Sequence, residues 1–491
     1  MSDASRPNIL WYCTDQQRFD TVGCLGNEYI RTPNIDRLAS RGTAFTRAYT
    51  QCPICTPSRA TFLTGRYPAS HQVQRNGNDY FPAHLTLVTK TLADAGYDCG
   101  MAGKLHLSRA KGRVEKRPDD GYRFFRWSHH PEPDWPEGHD YDAWLREVRG
   151  IDPHEIYTMK QAYGPGVPAE FHQTTWCTEM AMEFISQERE GPWLMSLNPF
   201  DPHPPFDPPA EFLDRIDSST LPLPLFRESD IAHQKRYRAV DQQSKDAVRI
   251  GGEPVAAQVL DEDAEDFFHS TPPSAYDPRQ VKACYYAMIE LIDHEFGRLV
   301  RFLEERGELE NTIIIFTSDH GELLGDHGLL YKGCRFFEAL VHVPLIISWP
   351  AKWSRGVVAD ALVELVDLPQ TLLEAAGLPT RPEMQGKSLA PLLAGSADPA
   401  YHKPYVTSEY WDAIDQSDGT HGSMYFDGRY KSIVYHGHEL GEIYDLEQDP
   451  GEFENLWFDS DKLELKAELL HKHLDALMGT CTAGVERTDS Y

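Results

Sequence analysis

Apolar positions along the 491-residue chain fall into two alternating rhythms, short unbroken runs and stretches with helical spacing. The run Asn8-Ile9-Leu10-Trp11-Tyr12-Cys13-Thr14 stops at Asp15 and has the pattern of a strand buried on both faces. Thr312 to Ser318 repeats it and stops at Asp319; Trp193 to Leu197 and Pro344 to Trp349 are further strands. Tyr97 to Gly103 is a short strand that delivers Lys104, and the strand at Trp193 opens into a proline-rich loop carrying His203. Helices alternate with these strands. Pro33 to Ser40 starts on proline and has Gly42 just past its end. Leu85 to Ala95 is stopped by Gly96, and Tyr286, Ile289, Ile292, Phe296, Leu299 and Val300 form one apolar stripe that ends at Gly307. The alternation predicts an α/β fold, a large mostly parallel sheet with helices on both faces. From about Gly386 the pattern changes to short strands and a terminal helix over Lys462 to Met478. The expected organisation is therefore a large α/β domain over 1–385 and a smaller C-terminal α+β subdomain with a short antiparallel sheet over 386–491. Phe206 to Pro278 is polar, proline-rich and weakly periodic, an irregular excursion that reads as a lid or an oligomer contact.

Charge narrows the partners. A formal charge of −29 argues against nucleic acid or an anionic membrane surface, and no apolar run approaches a membrane span. The nine cysteines are odd in number and scattered, so they do not form a disulfide framework. The polar start, Met1 to Pro7, leads into the first strand with no secretory apolar segment, so the expected compartment is the cytoplasm.

The richest chemistry lies in Cys55-Thr56-Pro57-Ser58-Arg59-Ala60-Thr61-Phe62-Leu63-Thr64-Gly65. A thiol stands just ahead of a helix predicted to begin at Pro57, whose unpaired N–H groups and positive dipole end suit an anion. Arg59 adds a fork of donors for a tetrahedral oxyanion. A buried structural thiol and a Cys52-Cys55 redox pair are the competing readings. The redox pair accounts for only two residues, and nothing flanking it has the strand and helix context such a pair needs. In an open parallel sheet, ligands bind beyond the carboxyl ends of the strands. Two strands end there in Asp15-Gln16 and Asp319-His320; either pair alone reads as a cap or loop.

The Cys-x-Pro-x-Arg run followed by Thr64-Gly65 resembles the maturation signature of type I sulfatases in the alkaline phosphatase superfamily. Asp319-His320-Gly321-Glu322, followed by Gly325-Asp326-His327-Gly328 and Lys332, is similar to the second signature region of that family. Thr32 to Ala39 and Ile443 to Glu452 resemble further stretches of it, so the likeness covers nearly the whole chain. The resemblance implies that Cys55 is oxidised to formylglycine by a formylglycine-generating enzyme, and that the hydrated aldehyde is the nucleophile. It also implies that Asp15, Gln16, Asp319 and His320 bind one divalent cation together with the modified Cys55. Oxygen donors favour Ca2+ or Mg2+, and an imidazole raises Mn2+ or Zn2+; sulfatases of this type usually carry calcium, with an Asp and an Asn where this chain has Gln16 and His320.

By the same resemblance Arg59 holds the nucleophile, and Lys104 and Lys332 hold the sulfate oxygens. His203 or Lys332 protonates the leaving alcohol, His106 takes a proton to expel sulfate, and Asn76 contacts substrate. Without the family context, Lys104, His106, His203 and Lys332 read as surface or loop residues and Asn76 as a turn residue. The function implied is hydrolysis of a small anionic ester, an aryl, sugar or alkyl sulfate. A phosphonate monoester or phosphodiester hydrolase on the same scaffold is the nearest alternative; Gln16 and His320 lean toward it, Lys104 and His106 away. A non-catalytic binding protein on the same fold is the third. The 206–278 excursion and the segment with Trp127, His129, His130 and Trp135 are expected to shape the pocket, the excursion also offering a homo-oligomer contact. Because the chain is acidic and the substrate anionic, the site must be locally basic.

Overall fold

The computed structural model describes residues 6–481 apart from 111, 131–134, 136, 158–162, 242, 244–246, 248, 251–276 and 415–418. Its main sheet has eight strands: β1 (Asn8–Thr14), β2 (Thr43–Phe45), β3 (Asp98–Gly103), β4 (Phe124–Trp127), β5 (Trp193–Asn198), β6 (Thr312–Ser318), β7 (Leu345–Ser348) and β8 (Val357–Ala359). Their spatial order is β4-β3-β5-β1-β6-β7-β2-β8. Pairing is parallel except where β7 meets β6 and β2. At the centre, Trp11 of β1 lies level with Ser196 of β5 and Ile315 of β6.

Side chains alternate across such a strand, and the two faces feed separate cores. Ile9, Trp11, Cys13, Ile313 and Ile315 enter one; Leu10, Tyr12, Ile314 and Phe316 enter the other. On the first face pack α2 (Cys55–Thr64), α3 (Val88–Asp94) and α6 (Leu368–Ala375). On the second pack α1 (Pro33–Ser40), α4 (Gln173–Ser186) and α5 (Pro278–Glu305). Each fully buried large apolar side chain contributes about 1.5–3 kcal/mol of transfer free energy. The expected α/β layering holds, with β7 making the sheet mixed. At the head of α5 the Asp277 carboxylate accepts from the N–H groups of Arg279 (3.0 Å) and Gln280 (3.2 Å), and Pro278 takes the first turn.

The antiparallel sheet near the C-terminus comprises β9 (Val406–Trp411), β10 (His421–Phe426), β11 (Tyr430–His436) and β12 (Leu440–Asp445). One side is covered by α7 (Leu463–Cys481), whose buried His473 meets Ser423 and Ser432. The other side shares a core with Cys52, Ile54, Phe336 and Leu340, which places this sheet directly behind the entry to α2.

Two elements differ from expectation. Helix α2 begins at Cys55, so Pro57 occupies its third position, which is tolerated because no first-turn N–H has an intrahelical partner. Helix α3 begins at Val88, because Leu85 and Leu87 enter the core from the extended approach. The described part of the 206–278 excursion carries short helices at Ala210–Leu213 and Glu228–Lys235 and bonds to the Lys332 loop. The Gln243 N–H donates to the Lys332 carbonyl (3.0 Å) and the Cys334 N–H to the Asp241 carbonyl (2.7 Å). Residues 251–276 of the excursion lie outside the described residues. Among the described residues, no helix is long and apolar enough to cross a membrane.

Candidate active site

Four neighbouring strands, β3, β5, β1 and β6, end at one edge of the sheet, and each hands over to a polar segment: Lys104, the Asp201–His203 loop, Asp15 and Asp319. Gly103 makes the first hand-over possible. Its φ is +105°, and a Cβ there would lie 2.0 Å from the Asn198 carbonyl oxygen, so only glycine fits. Cys55 reaches the same edge from the first turn of α2.

Around the Cys55 sulfur the groups are close. Sγ lies 3.1 Å from Lys332 Nζ, 3.1 Å from His320 Nε2 and 3.7 Å from Asp15 Oδ1. His106 and His203 also lie beside it. Lys104 Nζ pairs with Asp15 Oδ2 at 2.5 Å. Every one of these side chains is buried except the partly exposed His203. Burial opposes ionisation of the Cys55 thiol, but Lys104, Lys332 and His320 pull it well below the ordinary thiol range. Burial also opposes ionisation of Asp15, and the Cys55 charge adds to this, yet Lys104, His203 and Arg59 hold it below the usual carboxylate range. Asp319 is raised by burial and by the Asp15 charge. Cations and anions thus interleave at this edge, Lys104, Lys332 and Arg59 against Asp15, Asp319 and residue 55.

Gln16 sits between two fixed partners. Its Nε2 donates to a Glu322 carboxylate oxygen, which turns Oε1 inward, 2.7 Å from Lys332 Nζ. Glu322 also accepts from the backbone N–H groups of Leu324 (2.9 Å) and Tyr331 (2.5 Å), pinning the loop that carries Lys332. Opposite, the backbone N–H groups of His106 and Leu107 donate to Glu115 (2.7 and 2.8 Å), which also receives the Trp127 indole N–H at 2.7 Å. His106 Nδ1 is buried and has no hydrogen bond among the described residues, and burial followed by Lys104 lowers the ring's affinity for a proton. His203 places Nδ1 against the Pro204 carbonyl (2.7 Å) and Nε2 against Lys332 Nζ (3.0 Å). Burial and Lys332 push its pKa down to about 3. The hydrogen bonds assign its proton to Nδ1 and make Nε2 an acceptor from Lys332.

Asp15, Cys55, Asp319 and His320 each offer a ligand atom, all within 4.8 Å of one another. Two carboxylates, an imidazole, the inward Gln16 oxygen and residue 55 form a donor set that fits a divalent cation. Converging buried anions of this kind need such a charge, because Lys104 and Arg59 already engage the outer carboxylate oxygens.

Two expectations require correction. The Arg59 fork does not face an open anion pocket. Its Nε donates to Asp319 Oδ2 (2.8 Å), Nη1 to the Lys104 carbonyl (2.8 Å) and Nη2 to Asp15 Oδ2 (3.2 Å), at 1% exposure. Arg59 therefore orients the metal-site carboxylates from beneath. Asn76 commits its carboxamide oxygen to the Thr56 N–H (3.0 Å) and its own N–H to the Ala413 carbonyl (2.8 Å), which makes it a cap for α2 in this arrangement. Of the aromatic segment, Trp127 is buried beneath the site, whereas His129 and His130 reach its wall beside Phe200. Sequence reasoning missed Glu115 and gave Glu322 no role. Glu322 lies inside the motif that carries Asp319; Glu115, within Arg113-Val114-Glu115-Lys116-Arg117, looks like an ordinary charged loop residue.

Comparison with known proteins adds to this geometry. The family model described as "Sulfatase" matches residues 7–378, and that described as "N-sulphoglucosamine sulphohydrolase, C-terminal" matches residues 325–479. An arylsulfatase of Clostridium perfringens (strain 13 / Type A) is 29% identical, covering 96% of this chain and 94% of its own length. The multifunctional alkaline phosphatase superfamily protein PehA of Trinickia caryophylli is also 29% identical, covering 92% and 91%. Among solved structures, the phosphonate monoester hydrolase of Agrobacterium radiobacter superposes with a TM-score of 0.79 at 25% identity, covering 97% of this chain and 96% of that one.

Proposed function

Because the chain belongs to the sulfatase family, we propose that it hydrolyses a sulfate monoester to an alcohol and inorganic sulfate with a formylglycine made from Cys55. The observation that carries this reading is the position of residue 55: its sulfur lies 3.1 Å from both Lys332 and His320 and 3.7 Å from Asp15, where Lys104 also closes on the same carboxylate. One divalent cation, Ca2+ by preference, would be held by Asp15, Gln16, Asp319, His320 and residue 55 and would supply charge neutralisation at the ester oxygens.

The protein's own groups divide the remaining work. Lys104 and Lys332 bind sulfate oxygens and stabilise charge that builds up as one hydroxyl of the hydrated residue 55 gives its proton to the neighbouring Asp319 carboxylate, made more basic by burial and Asp15, and attacks sulfur in line. The S–O bond to the alcohol breaks, and the departing oxygen needs a proton. In the observed arrangement that proton sits on Lys332, with the neutral His203 accepting from it and fixing its direction. His106, kept neutral by burial, then takes the proton of the second hydroxyl. The electron pair left on that oxygen forms the aldehyde carbonyl and expels sulfate.

Hydrolysis of a phosphonate monoester is the second reading. It is favoured by the likeness to the phosphonate monoester hydrolase and by the Gln16 and His320 pair. The test is kcat/KM on 4-nitrophenyl sulfate and on a 4-nitrophenyl phosphonate monoester, with protein co-produced with a formylglycine-generating enzyme. A preference for the sulfate is expected, and Cys55→Ala is expected to lose at least about a thousandfold in kcat. Preference for the phosphonate overturns the substrate assignment, and a Cys55→Ala protein with full turnover overturns the mechanism.

A further inference from the structure

Beside His106 stands a second imidazole, His129, one of whose ring nitrogens has no hydrogen-bond partner among the described residues. The His129 ring stands edge-to-face on His106, 4.7 Å between centroids at 82°, and 5.9 Å from the Phe200 ring. Its backbone is held on both sides: the N–H donates to His139 Nε2 (3.2 Å), and the carbonyl accepts from Gln173 Nε2 (2.6 Å). Nδ1 faces His130 Nδ1 at 2.9 Å, and His130 is pinned in turn by the Trp135 indole N–H on its carbonyl at 2.7 Å. Nε2 is buried and makes no hydrogen bond among the described residues. A buried polar atom left in this state costs about 1–3 kcal/mol, and here it occurs on a ring that five contacts hold in place.

Resting on the sulfatase reading, we infer that His129 is a specificity residue: its Nε2 hydrogen-bonds a hydroxyl carried on the carbon next to the ester, so the site selects sulfate esters of vicinal-hydroxyl alcohols over esters that lack that hydroxyl.

Position and chemistry both favour a hydroxyl. His106 lies beside residue 55, where the sulfur must sit, and the His129 ring packs edge-on against His106. A hydroxyl on the carbon next to the ester is the substituent of the alcohol that lies nearest the sulfate, so it is the group assigned to a ring that packs on His106. Burial, His106 and Lys104 keep the imidazole neutral, so it adds no further cation for the anionic half. The His129–His130 contact requires one ring to donate and the other to accept, and either tautomer leaves Nε2 needing the complementary group. A hydroxyl can donate or accept and satisfies both tautomers; an anionic oxygen satisfies only one.

Two esters that differ by this hydroxyl alone are 2-hydroxyphenyl sulfate, with the hydroxyl ortho to the ester, and phenyl sulfate. The expected result is a wild-type kcat/KM ratio favouring the hydroxylated ester by about tenfold or more, the effect of one buried hydrogen bond. That ratio collapses toward unity in His129→Leu and recovers in part in His129→Gln, which restores a hydrogen-bonding group. Equal losses on both esters in His129→Leu, or no wild-type preference, overturn the inference. Absence of turnover on both sulfates overturns the sulfatase reading instead. In that case calorimetric binding of the two esters to the Cys55→Ala protein still decides the subsite: tighter binding of the hydroxylated ester, abolished by adding His129→Leu, supports it, and equal binding refutes it.

Discussion

Replacing Glu115 with glutamine isolates positioning from chemistry, because Glu115 lies behind the His106 segment. The carboxylate is 3% exposed and receives four N–H groups: His106 (2.7 Å) and Trp127 (2.7 Å) on Oε1, and Leu107 (2.8 Å) and Ser108 (3.4 Å) on Oε2. Glutamine keeps one oxygen, enough for one of these pairs. Its amide nitrogen then meets the other pair, donor against donor. Hydrogen bonds to a charged group are worth about 1.5–3 kcal/mol each, and a buried donor left unpaired costs about 1–3 kcal/mol. The Ser108 contact is long and weak, so one strong bond lost and one donor stranded give about 3 kcal/mol of destabilisation. The segment relieves this clash by moving, and His106 moves with it. A shift of about 1 Å in a reacting group costs on the order of a hundredfold. Glu115→Gln is therefore expected to lower the melting temperature by several degrees and kcat on 4-nitrophenyl sulfate by about a hundredfold, with the metal content unchanged. A variant that melts with wild type and retains kcat within about threefold would refute this reasoning.

Three further outcomes follow from the geometry. Chelation should abolish turnover and lower the melting temperature together, since Asp15, Asp319 and residue 55 then face one another without a cation, and returning Ca2+ should restore both; unchanged melting after verified metal removal would contradict the donor set. Glu442 is fully buried between Arg335 (3.0 Å), Tyr435 and Tyr444, where the charges hold its pKa at about 2 against burial. A depressed carboxylate contributes stability above its ordinary value of 4.5 and loses it as pH falls toward 2, about 3 kcal/mol in all, so Glu442→Gln should flatten the acid limb of a denaturation profile between those values. Gly103→Ala should give little soluble protein and no activity, because the new Cβ meets the Asn198 carbonyl backbone at 2.0 Å; a well-folded active variant would show that β3 and β5 can separate there.

Much of this was legible in the sequence wherever a local pattern carried it. The buried runs ending at Asp15 and Asp319 identify strands, and strand ends in a parallel sheet converge. Cys55 and Arg59 were recognisable from fixed spacing. What spacing could not supply was the direction of a side chain. Arg59 looks like an oxyanion fork until Asp15 and Asp319 are placed above it, and that placement depends on β1 and β6 being neighbours across some 300 residues. Asn76 shows the same limit, because a turn residue becomes a helix cap only through the fold of 56 against 76. Glu115 was invisible because its four partners are backbone and indole N–H groups, which leave no compositional trace.

The acidity of the chain and the basicity of the site are reconciled by which charges face outward. The formal charge of −29 belongs to the whole chain, but each carboxylate at the site has been neutralised by design of its neighbours. Asp15 is engaged by Lys104 and Arg59, Asp319 by Arg59, and Glu322 by the Gln16 amide and two backbone N–H groups. Among the described residues no carboxylate pairs with Lys332; its contacts there are Gln16 Oε1, Cys55 Sγ and His203 Nε2, all groups that an arriving ester or its nucleophile would share. On the proposed function Lys332 is thus, with Lys104, a cation available to an anionic substrate, and its raised affinity for a proton follows from Cys55 and Asp15 overcoming burial. On the proposed function the same lysine would hold a sulfate oxygen, be directed by His203 and keep the proton needed by the alcohol. Substituting the neighbours that orient it, Gln16 and Glu322, would therefore disturb binding and leaving-group departure together, because both depend on one ammonium group.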